Sequence, residues 1–493
     1  VKNIAIIGTG IAGLATAARL SAQGHKVTCF ESNAYYGGKL THFKLGNYRF
    51  DAGPSLFTMP QLVDDVFIFC KKDPRKYFNY NSYETTCHYF FEDGTFVQGY
   101  ANPKKLAQEF HTKLGIDPKI VEQYLENSRK KFNRVGHIFM SKSLHKTKTW
   151  FSKDILKALL HLPSYKLLST MHKVNEKSFQ NPKLTQYFDR YATYNGSNPY
   201  AAPGLLTIIP HLEHGIGTFL PLGGMQSISD SIYNLCVEQG VQFHFKTKVT
   251  KIETTKNKTT GIFVDDKFYP FDKVVCNVDV ALTYKKLLPQ IKIPKKIEVQ
   301  ERSSSALIFY WGIKKEFEQL DLHSIFFSNN YEEEFEWIFK KQKVYHDPTV
   351  YINISSKKIK TDAPQGCENW FVMINLPCLA GRQAANKNNF NAEVKNEARK
   401  FIIEKINRIL KTNIEDHIEC EEILDPITIE SKTGSLHGSL YGTSSNSRMA
   451  AFNRHANFTN KIKNLYFCGG SVHPGGGIPL CLNSAKIVSE LIK

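Results

Sequence analysis

Lys2-Asn3-Ile4-Ala5-Ile6-Ile7-Gly8-Thr9-Gly10-Ile11-Ala12-Gly13 opens the chain, and its reading decides the fold. The apolar run to Ile7 is of strand type. Beyond the glycines, Leu14, Ala15, Ala17, Ala18 and Leu20 keep helical spacing as far as Gly24. A second strand, Lys26–Phe30, ends on Glu31. Strand, G-x-G-x-x-G turn, helix, strand and acidic end, in that order, describe a dinucleotide-binding βαβ unit. Gly8 allows the tight turn, Gly10 lets the backbone approach a pyrophosphate, and Gly13 lets the helix pack on the strand. The first-turn N–H groups at Ile11 and Ala12, aided by the helix dipole, then hold phosphate without a cationic side chain. Glu31, followed by Ser32, is placed to accept from ribose hydroxyls, and its charge disfavours a phosphorylated nicotinamide cofactor.

The chain has 493 residues, 42% of them hydrophobic and 12% aromatic, enough for two or three domains and a large apolar cavity. No apolar run reaches the length of a membrane-spanning helix. Strand one starts at residue 2, so no signal or transit peptide is expected ahead of it. The ten cysteines show neither C-x-x-C spacing nor a metal pattern, which suits packing residues and reduced thiols in a cytoplasm. No metal site is expected.

A formal net charge of +18 is unevenly placed, since Ala101–Arg190 holds 18 Lys and Arg against 7 Asp and Glu. Lys142, Lys146, Lys148, Lys153, Lys157, Lys166 and Lys173 are interleaved there with Trp150, Phe151, Ile155, Leu156, Leu159, Leu160 and Leu168. Basic residues mixed with Trp, Phe and Leu suit a surface that dips into an anionic headgroup layer. An ordinary solvated face over a helical core is the alternative. Nucleic acid is not expected as a partner, because no recognition module accompanies the charge.

Further along, Gln61–Cys70 reads as an amphipathic helix, and Glu92-Asp93-Gly94 as a hairpin turn between Cys87–Phe91 and Thr95–Val97. Asn102-Pro103 opens a helical region lasting to about Tyr194. Phe219–Met225 leads into a helix, Ser227–Gln239, and a strand, Val241–Ile252. Strands near Gly261–Val264 and Lys273–Asn277 fit a small antiparallel sheet. Ala306–Gly312, Val350–Ile354 and Trp370–Leu376 are strands of a second sheet, and Asn391 caps a helix carrying Val394, Ala398, Phe401, Ile402, Ile406 and Ile409. Glu332-Glu333-Glu334 reads as a solvated acidic turn. Asn464–Cys468 is a strand that empties into a glycine-rich loop and a last helix through Leu491.

After Glu31, Gly37-Gly38-Lys39 and Tyr48–Pro54 complete a stretch that resembles the flavin-containing amine oxidase and carotenoid desaturase superfamily. Lys39 stands where arginine is usual there, keeping the charge but losing the planar fork. Pro221-Leu222-Gly223-Gly224-Met225 with its following helix and strand resembles the same superfamily, in which the backbone around Lys248-Val249 lies against the adenine. Gly469-Gly470-Ser471-Val472-His473-Pro474-Gly475-Gly476-Gly477-Ile478-Pro479 is similar to bacterial, phytoene-type carotenoid desaturases, and Asp51–Pro60 to the branch acting on 1-hydroxycarotenoids at the 3,4-bond.

The resemblance implies an α/β fold. A Rossmann-like FAD-binding domain (1–72, 218–283 and 442–493) is interrupted by a discontinuous antiparallel-sheet substrate domain (73–100, 195–217 and 284–441) and a basic helical membrane-contacting subdomain (101–194). It implies noncovalent FAD held by Gly8, Gly10, Ile11, Ala12, Glu31, Ser32, Gly37, Gly38, Lys39, Gly53, Pro54, Ser55, Val249, Gly469, Gly470, Gly477 and Ile478. A carotenoid is the implied substrate, losing a hydride to flavin N5, with oxygen or a quinone as final electron acceptor. The implied location is cytoplasmic and peripheral, on the inner face of the membrane. Phytoene desaturation and carotene isomerisation are the neighbouring alternatives, and a flavin-free prenyl-binding escort protein is the alternative from another class. An amine oxidase would need aromatic walls beside the flavin, and no such pair is assignable.

The residue types predict no triad or carboxylate dyad. A cation left on a polyene makes the neighbouring C–H acidic, so water or a weak base suffices. His473, beside the second glycine loop, is the one catalytic candidate, though a loop-bonding role is commoner for such a histidine. His437 and Tyr441 are candidates for lining the cavity or simply for packing. Cys468 and Cys481 match no covalent-flavin pattern.

Overall fold

Four consecutive apolar residues, Ile4 to Ile7, are stable in a strand only when both of its faces are covered. In the computed structural model, which describes residues 1–380 and 390–492, β1 (Asn3–Ile7) is the middle strand of a five-stranded parallel sheet. The sheet runs Leu465–Phe467, Lys273–Cys276, β1, β2 (Lys26–Phe30), Gln242–His244. α1 (Ile11–Ala22) covers one face together with the helices Ser227–Glu238 and Ile478–Leu491, through Leu14, Ala18, Ile232, Ala485 and Val488. A three-stranded antiparallel sheet (Val249–Thr255, Lys258–Val264, Lys267–Pro270) covers the other, through Ile252 and Ile262.

Two expectations are corrected here. The segment Val241–Ile252 is two strands, because Lys246 takes a left-handed turn (φ 51°) that carries the chain from the parallel sheet to the antiparallel one. Lys273–Cys276 joins the parallel sheet beside β1, not the small antiparallel sheet. Its Val274, Val275 and Cys276 are fully buried, which suits an interior strand.

The second sheet has seven strands in the order Ile418–Leu424, Ser305–Ile313, Glu368–Leu376, Val350–Ile354, His323–Phe326, Thr85–Phe90, Phe96–Tyr100. The strand period of two splits Ser305–Ile313 into two sets of side chains. Leu307, Phe309 and Trp311 pack on the helix Ala392–Leu410, with Ile402 and Ile406 opposite them. Trp311 faces Trp370 directly across the sheet. Asn391 caps that helix, accepting from Val394 N at 3.0 Å. The other set, Ile308 and Tyr310, faces a cavity.

Asn102 accepts from Lys104 N at 3.0 Å and starts the helical region at Pro103. The acidic run at 332–334 is not a solvated turn. It lies in the helix Tyr331–Glu336, and Glu334 is buried, accepting from Thr349 N (2.9 Å), Thr349 Oγ1 (2.7 Å) and Ser328 Oγ (2.8 Å). Among the described residues no helix is long and apolar enough to cross a membrane, and no group of side chains could hold a metal ion.

Candidate cofactor and substrate cavity

The parallel strands all end at the same edge, where α1 begins. That edge opens on a cavity of about 1720 Å³, well above the usual 300–1,000 Å³ of a small-ligand pocket. All the residues expected at the cofactor line it: Gly8, Gly10, Ile11 and Ala12; Glu31 and Ser32; Gly37, Gly38 and Lys39; Gly53, Pro54 and Ser55; Val249; Gly469, Gly470, Gly477 and Ile478. Segments more than 400 residues apart thus line one cavity.

The glycine cradle is shaped by close backbone approach. A methyl on Gly13 would lie 2.2 Å from the Gly8 carbonyl oxygen, and one on Gly53 would lie 2.1 Å from that of Lys39. Asn277, which the sequence reading did not single out, sits at the end of the strand beside β1. With its amide oxygen turned to the loop it accepts from Gly10 N (3.2 Å) and Gly13 N (3.3 Å). Ile11 and Ala12 lie between them at the helix start, where N–H groups have no intrahelical partner, and both line the cavity. Glu31 is engaged by its own loops. Oε2 accepts from Thr9 N (2.9 Å) and Thr9 Oγ1 (2.8 Å), and Oε1 from Asn33 N (2.9 Å) and Ser32 Oγ (3.3 Å). The Ser32 bond is the longest of the four.

Lys39 does not hang free in the cavity. Its Nζ donates to the carbonyls of Leu440 (2.8 Å) and Ser439 (3.4 Å), tying the first glycine segment to the loop before the last. Burial pulls its pKa down to about 8. Cys468 and Cys481 also line the cavity, but burial pushes the Cys481 thiol up to about 11 and Cys468 higher still, so neither is a nucleophile at neutral pH.

Beyond the cradle the wall is supplied by alternate residues of the second sheet: Ile308, Tyr310, Tyr351, Phe371 and Met373. A hydrogen-bonded chain runs along it, from Ser55 Oγ to the Tyr351 hydroxyl (2.8 Å) and on to His323 Nδ1 (2.8 Å). Burial holds His323 down at about 4, so the ring is neutral. Tyr441 lines this cavity too, whereas His437 faces a separate one of about 240 Å³. His473 does not line the main cavity. It is buried, donates from Nε2 to the Lys142 carbonyl at 2.8 Å and packs edge-on against His145. Burial lowers it to about 4. The ring is thus tied to the Lys142 segment of the helical region rather than to its own loop or to the main cavity.

Residues 11–317 match the family described as flavin containing amine oxidoreductase. The chain belongs to that family. A flavin in a dinucleotide-binding cradle of this kind is FAD, and the flavoprotein character of this family member follows from it. Over 491 residues the chain is 51% identical to the 1-hydroxycarotenoid 3,4-desaturase of Flavobacterium sp. (strain P99-3), covering 100% of this flavoprotein and 99% of the relative. It is 28% identical over 499 residues to the 4,4'-diaponeurosporene oxygenase of Staphylococcus haemolyticus (strain JCSC1435), covering 100% of the chain and 97% of that protein. In fold it resembles an oxidoreductase of Methanosarcina mazei, with a TM-score of 0.64 at 15% identity and full coverage of both chains.

Proposed function

We propose that this flavoprotein is a carotenoid desaturase that introduces the 3,4 double bond into an acyclic 1-hydroxycarotenoid. The observation that carries the reading is one cavity that joins the glycine cradle to a long apolar wall, in a chain half identical from end to end to a relative of that name. The cradle residues named above would hold FAD. Bound FAD supplies the acceptor for the hydride that leaves the substrate. Ile308, Tyr310, Phe371 and Met373 would hold the polyene extended and keep water from the reacting carbons. The neutral chain Ser55–Tyr351–His323 offers a path for the proton, and no strong base is required of it. Phytoene desaturation, isomerisation and a flavin-free escort role are left as outcomes of the test. Flavin-loaded protein is given the 1-hydroxylated acyclic carotenoid and, separately, phytoene, with oxygen or a quinone as acceptor. A product two hydrogens lighter and absorbing at longer wavelength is expected from the hydroxylated substrate. Conversion of phytoene alone would sink the 3,4 assignment.

His473→Asn is expected to keep turnover within about threefold while costing about 1–3 kcal/mol of stability from the lost buried hydrogen bond. A turnover loss of a hundredfold with normal flavin content would return His473 to the chemistry.

The basic helices would dock on the bilayer that stores such a substrate, peripherally and on its cytoplasmic face. Phe151 is 86% exposed and Leu160 and Leu168 each 80% exposed, while Leu144, Ile155 and Tyr165 beneath them form a buried base. Replacing these three exposed residues together by serine is expected to lower binding to anionic vesicles at least about tenfold in sedimentation, with flavin content unchanged. Unaltered binding would leave the solvated-face reading in its place.

A further inference from the structure

The cavity wall holds one ion pair that neither the cradle nor the polyene accounts for. Arg190 and Glu213 both line the cavity, and they are 6% and 1% exposed. The hydrogen bonds of Arg190 to described residues all leave from one nitrogen. Nη2 donates to Glu213 Oε1 (3.0 Å) and Oε2 (2.9 Å), to the Tyr191 hydroxyl (3.1 Å) and to the Tyr89 hydroxyl. The buried Nε has no partner. Glu213 Oε2 also accepts from the Tyr194 hydroxyl. A guanidinium offers five N–H donors, so most of this fork is unused inside the protein. Nε is closed off, but Nη1 also makes no hydrogen bond to a described residue, and a ligand oxygen in the cavity that accepts from it gains a charge-assisted bond.

The pair restricts what that ligand can be. A carboxylate is repelled by Glu213, an ammonium by Arg190, and a hydrocarbon end pairs with neither. A neutral hydroxyl fits, because its oxygen accepts from the guanidinium while its proton goes to the carboxylate. In a 1-hydroxy substrate desaturated at the 3,4-bond, one C–O and two C–C bonds separate the oxygen from the reacting carbon, a reach of about 4 Å. The hydroxyl site must therefore stand close to the cofactor end of the cavity. Arg190 and Glu213 line the same cavity as Tyr351, whose hydroxyl pairs with Ser55 Oγ of the cofactor segment at 2.8 Å.

We propose that Arg190 and Glu213 form the pocket for the end-group hydroxyl of the substrate and set the preference for hydroxylated over unhydroxylated acyclic carotenoids. The proposal rests on the desaturase reading above, and the experiment separates the two. The kcat/KM ratio for the 1-hydroxylated substrate over its deoxy analogue is measured in wild type and in the charge-neutral double variant Arg190→Met/Glu213→Leu. Replacing a buried ion pair by apolar residues of similar size is compatible with folding. Wild type is expected to prefer the hydroxylated substrate by at least about 100-fold, and the double variant by less than about threefold, through gain on the deoxy substrate as well as loss on the other. Arg190→Lys, which keeps the charge but loses the fork, is expected to fall between them. Wild type turning over neither substrate would reject the desaturase reading itself. A double variant with bound flavin and an unchanged ratio would overturn the pocket while leaving that reading intact. If the double variant holds no flavin, Arg190→Lys decides: a lowered ratio supports the pocket, and an unchanged ratio, or loss of flavin here too, marks the pair as structural and overturns it.

Discussion

Gly13→Val is expected to purify without visible flavin absorbance, its FAD content per protein falling at least about twentyfold below wild type. Even the first added carbon would stand 2.2 Å from the Gly8 carbonyl oxygen, so helix and strand end cannot keep their spacing. The strand cannot yield, since β1 is paired on both edges, Ile6 facing Cys29 on one side and Val275 on the other. The helix must move instead, and it carries Ile11 and Ala12 away from the cavity with it. Overpacking of this kind costs about 1–3 kcal/mol in stability, which a protein of ordinary stability survives. The cofactor suffers more, because phosphate held by backbone N–H groups depends on placement rather than on a flexible charged side chain. Absorbance of the purified protein and its thermal midpoint check both parts. Full flavin content in a folded Gly13→Val would show that the cradle is not where FAD is held.

The second large effect concerns stability. Glu213→Leu alone is expected to cost about 3–5 kcal/mol, because it leaves the buried Arg190 guanidinium without a counter-charge. The double variant described above is expected to cost far less than either single change. Acid acts on the same pair. Burial pushes the Glu213 carboxyl up, but Arg190 and His214 bring it down to about 2, below the ordinary 4.5. A carboxyl depressed in the folded state stabilises fully above its unfolded pKa, and that contribution drains away as the pH falls from 4.5 towards 2. Denaturant midpoints measured across that range are expected to drop more steeply in wild type than in the double variant. Equal slopes would mean that Glu213 is not held ionised.

Where local residues decide a feature, the sequence is a good guide. β1, the glycine turn, α1 and β2 follow from spacing within thirty residues, and every residue expected at the cofactor lines one cavity. Features decided at long range escape it. Lys273–Cys276 is apolar enough for either sheet, and only its pairing with Ile4–Ile7, some 270 residues earlier, assigns it to the parallel one. His323–Phe326 is short and buried on both faces, so it shows no alternation to recognise, and Ile418–Leu424 carries too many acids to resemble a strand until it lies at a sheet edge. Glu334 looks like one more acid in a charged run and is held inside by Thr349 and Ser328. Arg190 illustrates the limit most sharply. It closes a lysine-rich stretch in which nothing sets it apart, yet four tyrosine rings lie within 6 Å of it, the nearest, Tyr191, at 4.2 Å.

The period-two division of the Ser305–Ile313 and Glu368–Leu376 strands separates two kinds of selection. Leu307, Phe309, Trp311 and Trp370 answer to the helix behind them, and changing them endangers folding. Ile308, Tyr310, Phe371 and Met373 pack with Tyr48 and Phe50 and also line the cavity in front. A lineage can therefore vary the cavity-side set as far as Tyr48 and Phe50 still pack against it, while the other set stands still. Diversification of substrates and inheritance of the scaffold proceed on opposite sides of a single layer of backbone.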